Sequence, residues 1–253
     1  LESLKPSVMT LGLERIRTFL DHLDIHPAGP HILVAGTNGK GSVAAFLGSI
    51  LREAGLKVGL YSSPHLVRFT ERFSINGEEM DPKTATALID DLWAAITRKE
   101  PPTFFEFTTA MALIYFFRRQ VDVGIIEGGM GGRLDATNII TPLVSVITNI
   151  GLDHREYLGN HVIAIAKEKA GIIKSGVDVA TGVTQPSVIR LFKTLAKEKR
   201  SPFWRLGRHV RYRRKPSGLL GYYGFKKRYG DLKIGLKGQF QFRNAALALL
   251  TLE

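Results

Sequence analysis

The sequence predicts an α/β fold built on a mostly parallel sheet flanked by helices, with a small antiparallel β segment late in the chain. Three observations lead there. Short runs rich in β-branched and aliphatic residues alternate with longer helical stretches, as in repeated βα units. A glycine-rich turn joins the first apolar run to the first long helix. From about residue 203 to 236 the texture changes, and Gly, Tyr, Arg and Lys dominate around a Pro216-Ser217-Gly218 turn, which reads as antiparallel strands. With 253 residues, 44% of them hydrophobic and 23% charged, the chain can bury one large core, or one domain and part of another.

The strands are expected at His31–Ala35, Lys57–Tyr61, Val121–Ile126, Leu143–Thr148 and Val177–Thr181. Helices are expected at Ser42–Ala54, Pro82–Arg98, Phe105–Arg119, His161–Ile172 and Pro186–Lys199. A last helix, from about Phe242 to Leu252, has no stop signal, which suggests a piece of a longer chain.

Several functions are excluded or disfavoured by composition. The longest near-continuous apolar stretch, Ala110 to Phe117, falls short of the ~18 residues of a membrane span. The opening residues LESLKPSVMT lack the apolar centre of a signal peptide, so a cytoplasmic location is expected. There are no cysteines, hence no disulfides, thiolate metal sites or cysteine nucleophile. The net charge of +12 favours anionic partners: nucleotides, polycarboxylates or nucleic acid.

The strongest local signal is Val34-Ala35-Gly36-Thr37-Asn38-Gly39-Lys40-Gly41-Ser42. It follows an apolar strand and opens a helix, the context a phosphate-binding loop requires. Glycines let backbone N–H groups converge on phosphate oxygens, and the helix N-terminus adds a favourable dipole. Lys40 would bridge the outer phosphates and the Ser42 hydroxyl would sit near Mg²⁺. The spacing departs from G-x-x-x-x-G-K-[ST]: two residues separate Gly36 from Gly39, and Gly41 intervenes before Ser42.

Glu127 ends the third strand, and a carboxylate at the carboxyl end of a parallel strand faces the ligand crevice. It offers the hard oxygen that Mg²⁺ prefers. Other positions have two readings each. Ser62-Ser63-Pro64-His65 is a loop on its own merits. His154, beside Asp153 after the fourth strand, is a surface or core histidine or a ligand. Lys169 is a solvated helix residue unless it has a special role. Phe104 and Phe107 serve equally well as plain core, Phe105 less so. Asn244 is a helix N-cap, or an amide able to donate to and accept from a purine edge.

Taken together, these segments resemble the folylpolyglutamate synthase and dihydrofolate synthase family of the Mur ligase superfamily. The resemblance rests on GTNGKGS, Ser-Ser-Pro-His, EGGMGGRLDATN (127–138), NIGLDH (149–154), the helix around Lys169, Thr103-Phe104-Phe105-Glu106-Phe107, and Gly238-Gln239-Phe240-Gln241-Phe242-Arg243-Asn244-Ala245-Ala246. They occur in family order along essentially the whole chain. Gly128 and Met130 stand where the family usually has Val and Leu, Arg155 where Thr is common, and the last segment has one extra residue.

The resemblance implies a P-loop NTPase-like domain over 1–253, with a further C-terminal domain that the family carries and this sequence lacks. It implies that ATP binds Thr37, Asn38, Gly39, Lys40, Gly41, Ser42 and Asn244. Two Mg²⁺ ions would be held by Ser62 (or Ser63), Glu127 and His154, with Lys169 carrying a carbamate. Lys40, Glu127, His154 and Lys169 would form the catalytic set. A pterin would lie against Thr10, Leu11, Gly12, Thr103, Phe104, Phe105, Glu106, Leu134, Asp135 and Ala136. The implied reaction is ATP-dependent joining of L-glutamate to dihydropteroate or folate, by a monomer, and this piece alone would bind nucleotide without turning over.

Three other readings remain. One is a non-catalytic remnant, which the missing domain leaves open and which intact Lys40, Glu127, His154 and Lys169 argue against. A cell-wall Mur ligase would share the loop, but it normally has a UDP-sugar domain first, and here the loop strand already begins near His31. A basic P-loop module could bind nucleic acid through Arg205, Arg208, Arg211, Arg213, Arg214, Lys215, Lys226, Lys227 and Arg228 with their interleaved tyrosines. The plainer reading of that segment is a solvated sheet whose charges protect its edges. Attraction of polyglutamate tails is a further alternative.

Overall fold

The structure is a computed structural model that describes residue 4 and residues 12–25, 29–97, 101–152 and 155–253. Its centre is an eight-stranded sheet. In chain order the strands are β1 (His31–Ala35), β2 (Val58–Tyr61), β3 (Phe73–Ile75), β4 (Glu78–Glu79), β5 (Val123–Glu127), β6 (Val144–Ile147), β7 (Asp178–Thr181) and β8 (Phe203–Arg205). Across the sheet the order is β4-β3-β2-β5-β1-β6-β7-β8. The run from β2 to β8 is parallel; β3 runs against it, and β4, antiparallel to β3, returns to the common direction.

Each central strand alternates between two cores. Leu33, Ala35, Ile126, Ile147 and Val179 face one, while Ile32, Val34, Ile125, Val146 and Ala180 face the other. Helices must therefore cover both faces. The first face carries α1 (Glu14–His22), α3 (Pro82–Ala94), α4 (Phe104–Arg118), α6 (Val162–Ala170) and α7 (Pro186–Glu198). The second carries α2 (Lys40–Glu53) and α8 (Gln241–Leu252). A short α5 spans Arg155–Leu158.

Local chemistry explains the helix starts that matter. Gly39 adopts φ 81°, a left-handed conformation that a Cβ would disfavour, and α2 begins at the next residue, two earlier than the sequence suggested. Helix α3 starts behind Asp81, whose side chain accepts from the Thr84 N–H at 2.9 Å, with Pro82 in the first turn. Helix α4 opens with a capping box: Thr103 accepts from the Glu106 N–H while Glu106 accepts from the Thr103 N–H. Residues 106–116 of α4 are all buried, which is why that helix is apolar all round.

The antiparallel segment is smaller than the sequence suggested. Phe203–Arg205 belongs to the main sheet, pairing parallel with β7. The separate sheet has three strands, β9 (Arg211–Arg214), β10 (Leu220–Tyr223) and β11 (Arg228–Leu232), in the order β11-β10-β9. It packs on α8 through Tyr222, which is fully buried. No described helix is long and apolar enough to cross a membrane.

Candidate active site

The carboxyl ends of β1, β2, β5, β6 and β7 lie on one edge of the sheet. The loop that leaves β1 is fastened there to the residues that follow β6. Thr37 N–H donates to the Asn149 carbonyl at 3.0 Å, and Asn38 N–H to Asn149 Oδ1 at 3.0 Å. Thr148 Oγ1 and Asn149 Nδ2 both donate to the Asn38 carbonyl, at 2.7 and 2.9 Å. Gly36 is required sterically, because a Cβ there would stand 1.9 Å from Thr148 Oγ1.

Lys40 folds back over this loop, donating to the carbonyls of Gly36 at 3.2 Å and Thr37 at 3.3 Å. Lys169, 2% exposed near the end of α6, donates to the same Gly36 carbonyl at 2.9 Å. It is therefore a buried loop partner, not the solvated lysine its sequence context suggests. Close backbone contact places it: a Cβ on Gly132 would lie 2.8 Å from the Glu168 carbonyl oxygen, and one on Gly171 would lie 2.3 Å from Arg133 Cα. The GGRLDATN segment is thus packed against the end of α6.

Glu127 is 6% exposed at the end of β5. A Cβ on Gly41 would lie 3.4 Å from its Oε2, and the Ser63 N–H donates to Oε2 at 3.4 Å. Burial pushes the Glu127 carboxyl above the usual carboxylate range, opposed by the charge of Lys40 and by the N–H groups of Ser63 and Gly41. Between the two serines, Ser63 approaches Glu127 through its backbone, while the Ser62 N–H is committed to the Arg72 carbonyl at 3.0 Å.

From the far end of the chain, α8 reaches the same loop. Gln241 Nε2 donates to Ser42 Oγ at 3.1 Å, and Asn244 Nδ2 donates to Gln241 Oε1 at 2.9 Å. A Cβ on Gly39 would lie 2.7 Å from Asn244 Oδ1, so that amide sits directly over the loop. Gln241 was not among the sequence candidates. Its place in the same segment as Asn244, one helical turn earlier, was the available signal.

The pterin candidates gather around the loop after β5. Gly12 N–H meets the Leu134 carbonyl at 3.4 Å. Asp135 is 5% exposed and accepts from Met130 N–H at 2.6 Å and from the Thr137 N–H at 3.0 Å; burial still pushes its carboxyl up. Ala136 is buried beside it. The Phe105 ring fills the space a Cβ on Gly129 would need, at 2.5 Å. Phe104 lies edge-on to Phe69 and under the Arg72 guanidinium, on the loop that follows Ser62. Thr103 and Glu106 are occupied by the cap of α4, and Glu106 also forms a two-pronged ion pair with Arg15 at 3.1 Å. Phe107 is fully buried core against Phe19 and Trp93. His154, Thr10 and Leu11 lie outside the described residues.

A magnesium ion suits this arrangement. Such an ion takes one or two carboxylates and otherwise relies on phosphate and water, and Glu127 is a buried carboxylate beside the glycine-rich Gly36–Ser42 loop. Among the described residues no group of three or more His, Asp and Glu forms a self-sufficient cation cage.

Comparison with known proteins agrees with this geometry. The family model described as the Mur ligase middle domain matches residues 34–252. The chain is 42% identical over 230 residues to a dihydrofolate synthase/folylpolyglutamate synthase of Bacillus subtilis, covering 87% of this chain and 54% of that protein. It is 39% identical over 251 residues to a folylpolyglutamate synthase of Lacticaseibacillus casei, covering 94% and 58%. A solved structure of Escherichia coli FolC in complex with DHPP and ADP superposes with a TM-score of 0.90 at 39% identity, covering 99% of this chain and 59% of that one. The chain thus spans between half and two thirds of the length of these relatives. It belongs to the Mur ligase middle-domain family, in the folylpolyglutamate synthase and dihydrofolate synthase branch.

Proposed function

We propose that this chain is the nucleotide-binding part of an ATP-dependent carboxylate–amine ligase, which joins L-glutamate to dihydropteroate, to the γ-carboxylate of folates, or to both. The observation that carries this reading is the convergence of Lys40, Glu127, Lys169 and Asn244 on the Gly36–Ser42 loop. The relatives lend support: one solved relative holds DHPP and ADP, and another holds Mn, AMPPNP and L-glutamate.

A carboxylate is a poor acyl donor, so its oxygen would take the γ-phosphoryl group of ATP, releasing ADP, and the deprotonated amine of glutamate would then attack the acyl phosphate and expel inorganic phosphate as the amide forms. The protein's task is to align the γ-phosphate with the carboxylate and to offset the charge that develops. Lys40 would swing from the Gly36 and Thr37 carbonyls to the phosphates. The loop N–H groups from Gly39 to Ser42 would hold the remaining oxygens, Thr37 and Asn38 would shape the loop through their bonds to Asn149, and Asn244 would meet the adenine edge. Ser62 or Ser63, Glu127 and His154 would hold two Mg²⁺ ions, which supply neutralising charge when bound, with a carbamate on Lys169 as a further oxygen donor. Gly12, Phe104, Phe105 and residues 134–136 would line the pterin pocket. No side-chain nucleophile is required. Turnover is proposed to need the further portion that the relatives possess, and the enzyme is proposed to act as a cytoplasmic monomer.

The test is phosphate release from ATP-Mg²⁺ by the protein extended to the length of its relatives, with dihydropteroate or tetrahydrofolate as acceptor. Release that requires both the pterin acid and glutamate supports the reading. Release indifferent to either one, or none at all with both acceptors, would sink it.

A further inference from the structure

The small antiparallel sheet holds a second hollow, away from the phosphate loop. Its volume is about 590 Å³, within the range of small-molecule pockets. Its wall includes Arg208, Arg211, Arg213 and Arg228, together with His209 and Tyr223. The strand register explains the convergence. Arg211 and Arg213 alternate onto one face of β9, Tyr223 pairs with both Arg211 and Arg228, and the residue opposite Arg213 is Gly221. Lacking a side chain, Gly221 leaves the middle of that face open.

None of these four arginines has an ion pair or a side-chain hydrogen bond among the described residues. Glu253, whose carboxylate packs against Gly224 of the lining, is engaged by the Tyr222 hydroxyl at 3.1 Å and by the backbone N–H groups of Phe225, Lys226 and Lys227. Beneath the turn, Arg205 Nε is buried without a hydrogen-bond partner. Burial first, and then the charges of Arg208, Arg205 and Lys193, hold His209 below the usual imidazole range. Edge protection would account for arginines on the outer strands β9 and β11. It does not account for Arg208 and His209, which sit in the preceding turn and close over the same hollow.

We infer that this hollow is a binding site for an extended polycarboxylate, a chain of γ-linked glutamyl residues, held by Arg208, Arg211, Arg213 and Arg228. Guanidinium forks match carboxylates two bonds at a time. A single-stranded nucleic acid fits less well, because base stacking needs several open rings. Tyr222 is fully buried, Tyr229 lines the apolar hollow on the opposite face, and Tyr212, which also lines this wall, is half-buried against the core beside Tyr222, so of the wall's two tyrosines Tyr223 is the exposed one. The choice of a glutamyl chain rests on the ligase reading above; anion binding by the arginines does not.

The experiment is calorimetric titration of the full chain with a γ-linked glutamate hexamer, with free glutamate, and with an oligonucleotide of equal charge. The hexamer is expected to bind better than glutamate. The R211Q/R213Q double substitution should weaken it about tenfold or more. R211K/R213K should restore part of the loss, and ATP affinity should not change in either variant. No hexamer binding, binding unmoved by R211Q/R213Q, or preference for the oligonucleotide would overturn the proposal. Hexamer binding by a protein that fails the phosphate-release test would leave this site standing and remove the ligase reading, so the two fail separately.

Discussion

Lys40 and Lys169 share one acceptor: the Gly36 carbonyl oxygen lies 3.2 Å from Lys40 Nζ and 2.9 Å from Lys169 Nζ. Two amines directed at one carbonyl form an arrangement that an incoming anion favours, whether triphosphate or carbamate. In the extended protein, Lys169→Met is expected to lower phosphate release by roughly a hundredfold, the scale of losing one preorganised electrostatic contact. ATP affinity should change little, since Lys40 and the loop remain. Labelled bicarbonate should give a carbamate signal in the parent and none in the variant. Full activity in Lys169→Met would remove Lys169 from the chemistry.

The tie between α6 and the loop after β5 depends on backbone approach. A Cβ on Gly171 would lie 2.3 Å from both Arg133 Cα and Arg133 Cβ, atoms that cannot swing aside. Gly171→Ala should therefore destabilise the fold by about 1–3 kcal/mol, as overpacking does. A urea midpoint lowered without a change in slope is the expected readout. Gly176→Ala is the comparison: nothing lies within 4 Å of its Cβ, though its φ of 73° also strains an alanine. It should cost less than Gly171→Ala.

Those two glycines also show what the sequence could and could not reveal. The glycine-rich turn ahead of α2 and the parallel strands were legible because each depends on contiguous residues. The order β2-β5-β1-β6-β7-β8 was not, because pairing partners leave no local mark. Helix α1 was readable but overlooked: Ile16, Phe19 and Leu20 are buried at helical spacing. So was the β3–β4 hairpin, whose Asn76-Gly77 turn, both residues at positive φ, is a strong hairpin signal. The burial of Lys169 was illegible, since its acceptor lies 133 residues away. Phe203–Arg205 misled because its neighbours are basic and glycine-rich, while its partner β7 is remote in sequence.

The loop after β2, which carries Ser62 and Ser63, is anchored by two acids. Glu71 accepts from the N–H groups of Leu66, Val67 and Arg68. Glu79 accepts both prongs of Arg68, at 3.1 and 2.7 Å, and the Thr70 hydroxyl. These bonds, the Arg68 side chain first, hold the Glu79 carboxyl down at about 2 against an ordinary 4.5. A folded-state value below the unfolded one gives stability that is present above 4.5 and lost as pH falls towards about 2. Amide exchange over residues 66–79 should quicken, relative to the central sheet, across that window. Glu79→Gln should show fast exchange there at all pH values. Exchange that is flat with pH in the parent would contradict the anchoring role.

Gln241 joins the phosphate loop to the adenine candidate. Its Nε2 donates to Ser42 Oγ and its Oε1 accepts from Asn244 Nδ2, so one side chain fixes both the hydroxyl and the amide. It is 7% exposed, and replacing it leaves polar neighbours without partners. Gln241→Ala frees the Asn244 amide to rotate and unties Ser42. If α8 serves the nucleotide through this link, the effect falls on binding: the KM for ATP should rise about fivefold to tenfold, corresponding to one hydrogen bond, while kcat changes much less. Gln241→Glu is a sharper variant, because a carboxylate can still accept from Asn244 Nδ2 but cannot donate to Ser42 as an amide does. It should keep Asn244 oriented yet place a negative charge beside the phosphates, so that the KM for ATP rises more than in Gln241→Ala. An equal, large fall in kcat with unchanged KM in both variants would mean that this glutamine serves the reacting centre and not the docking of ATP.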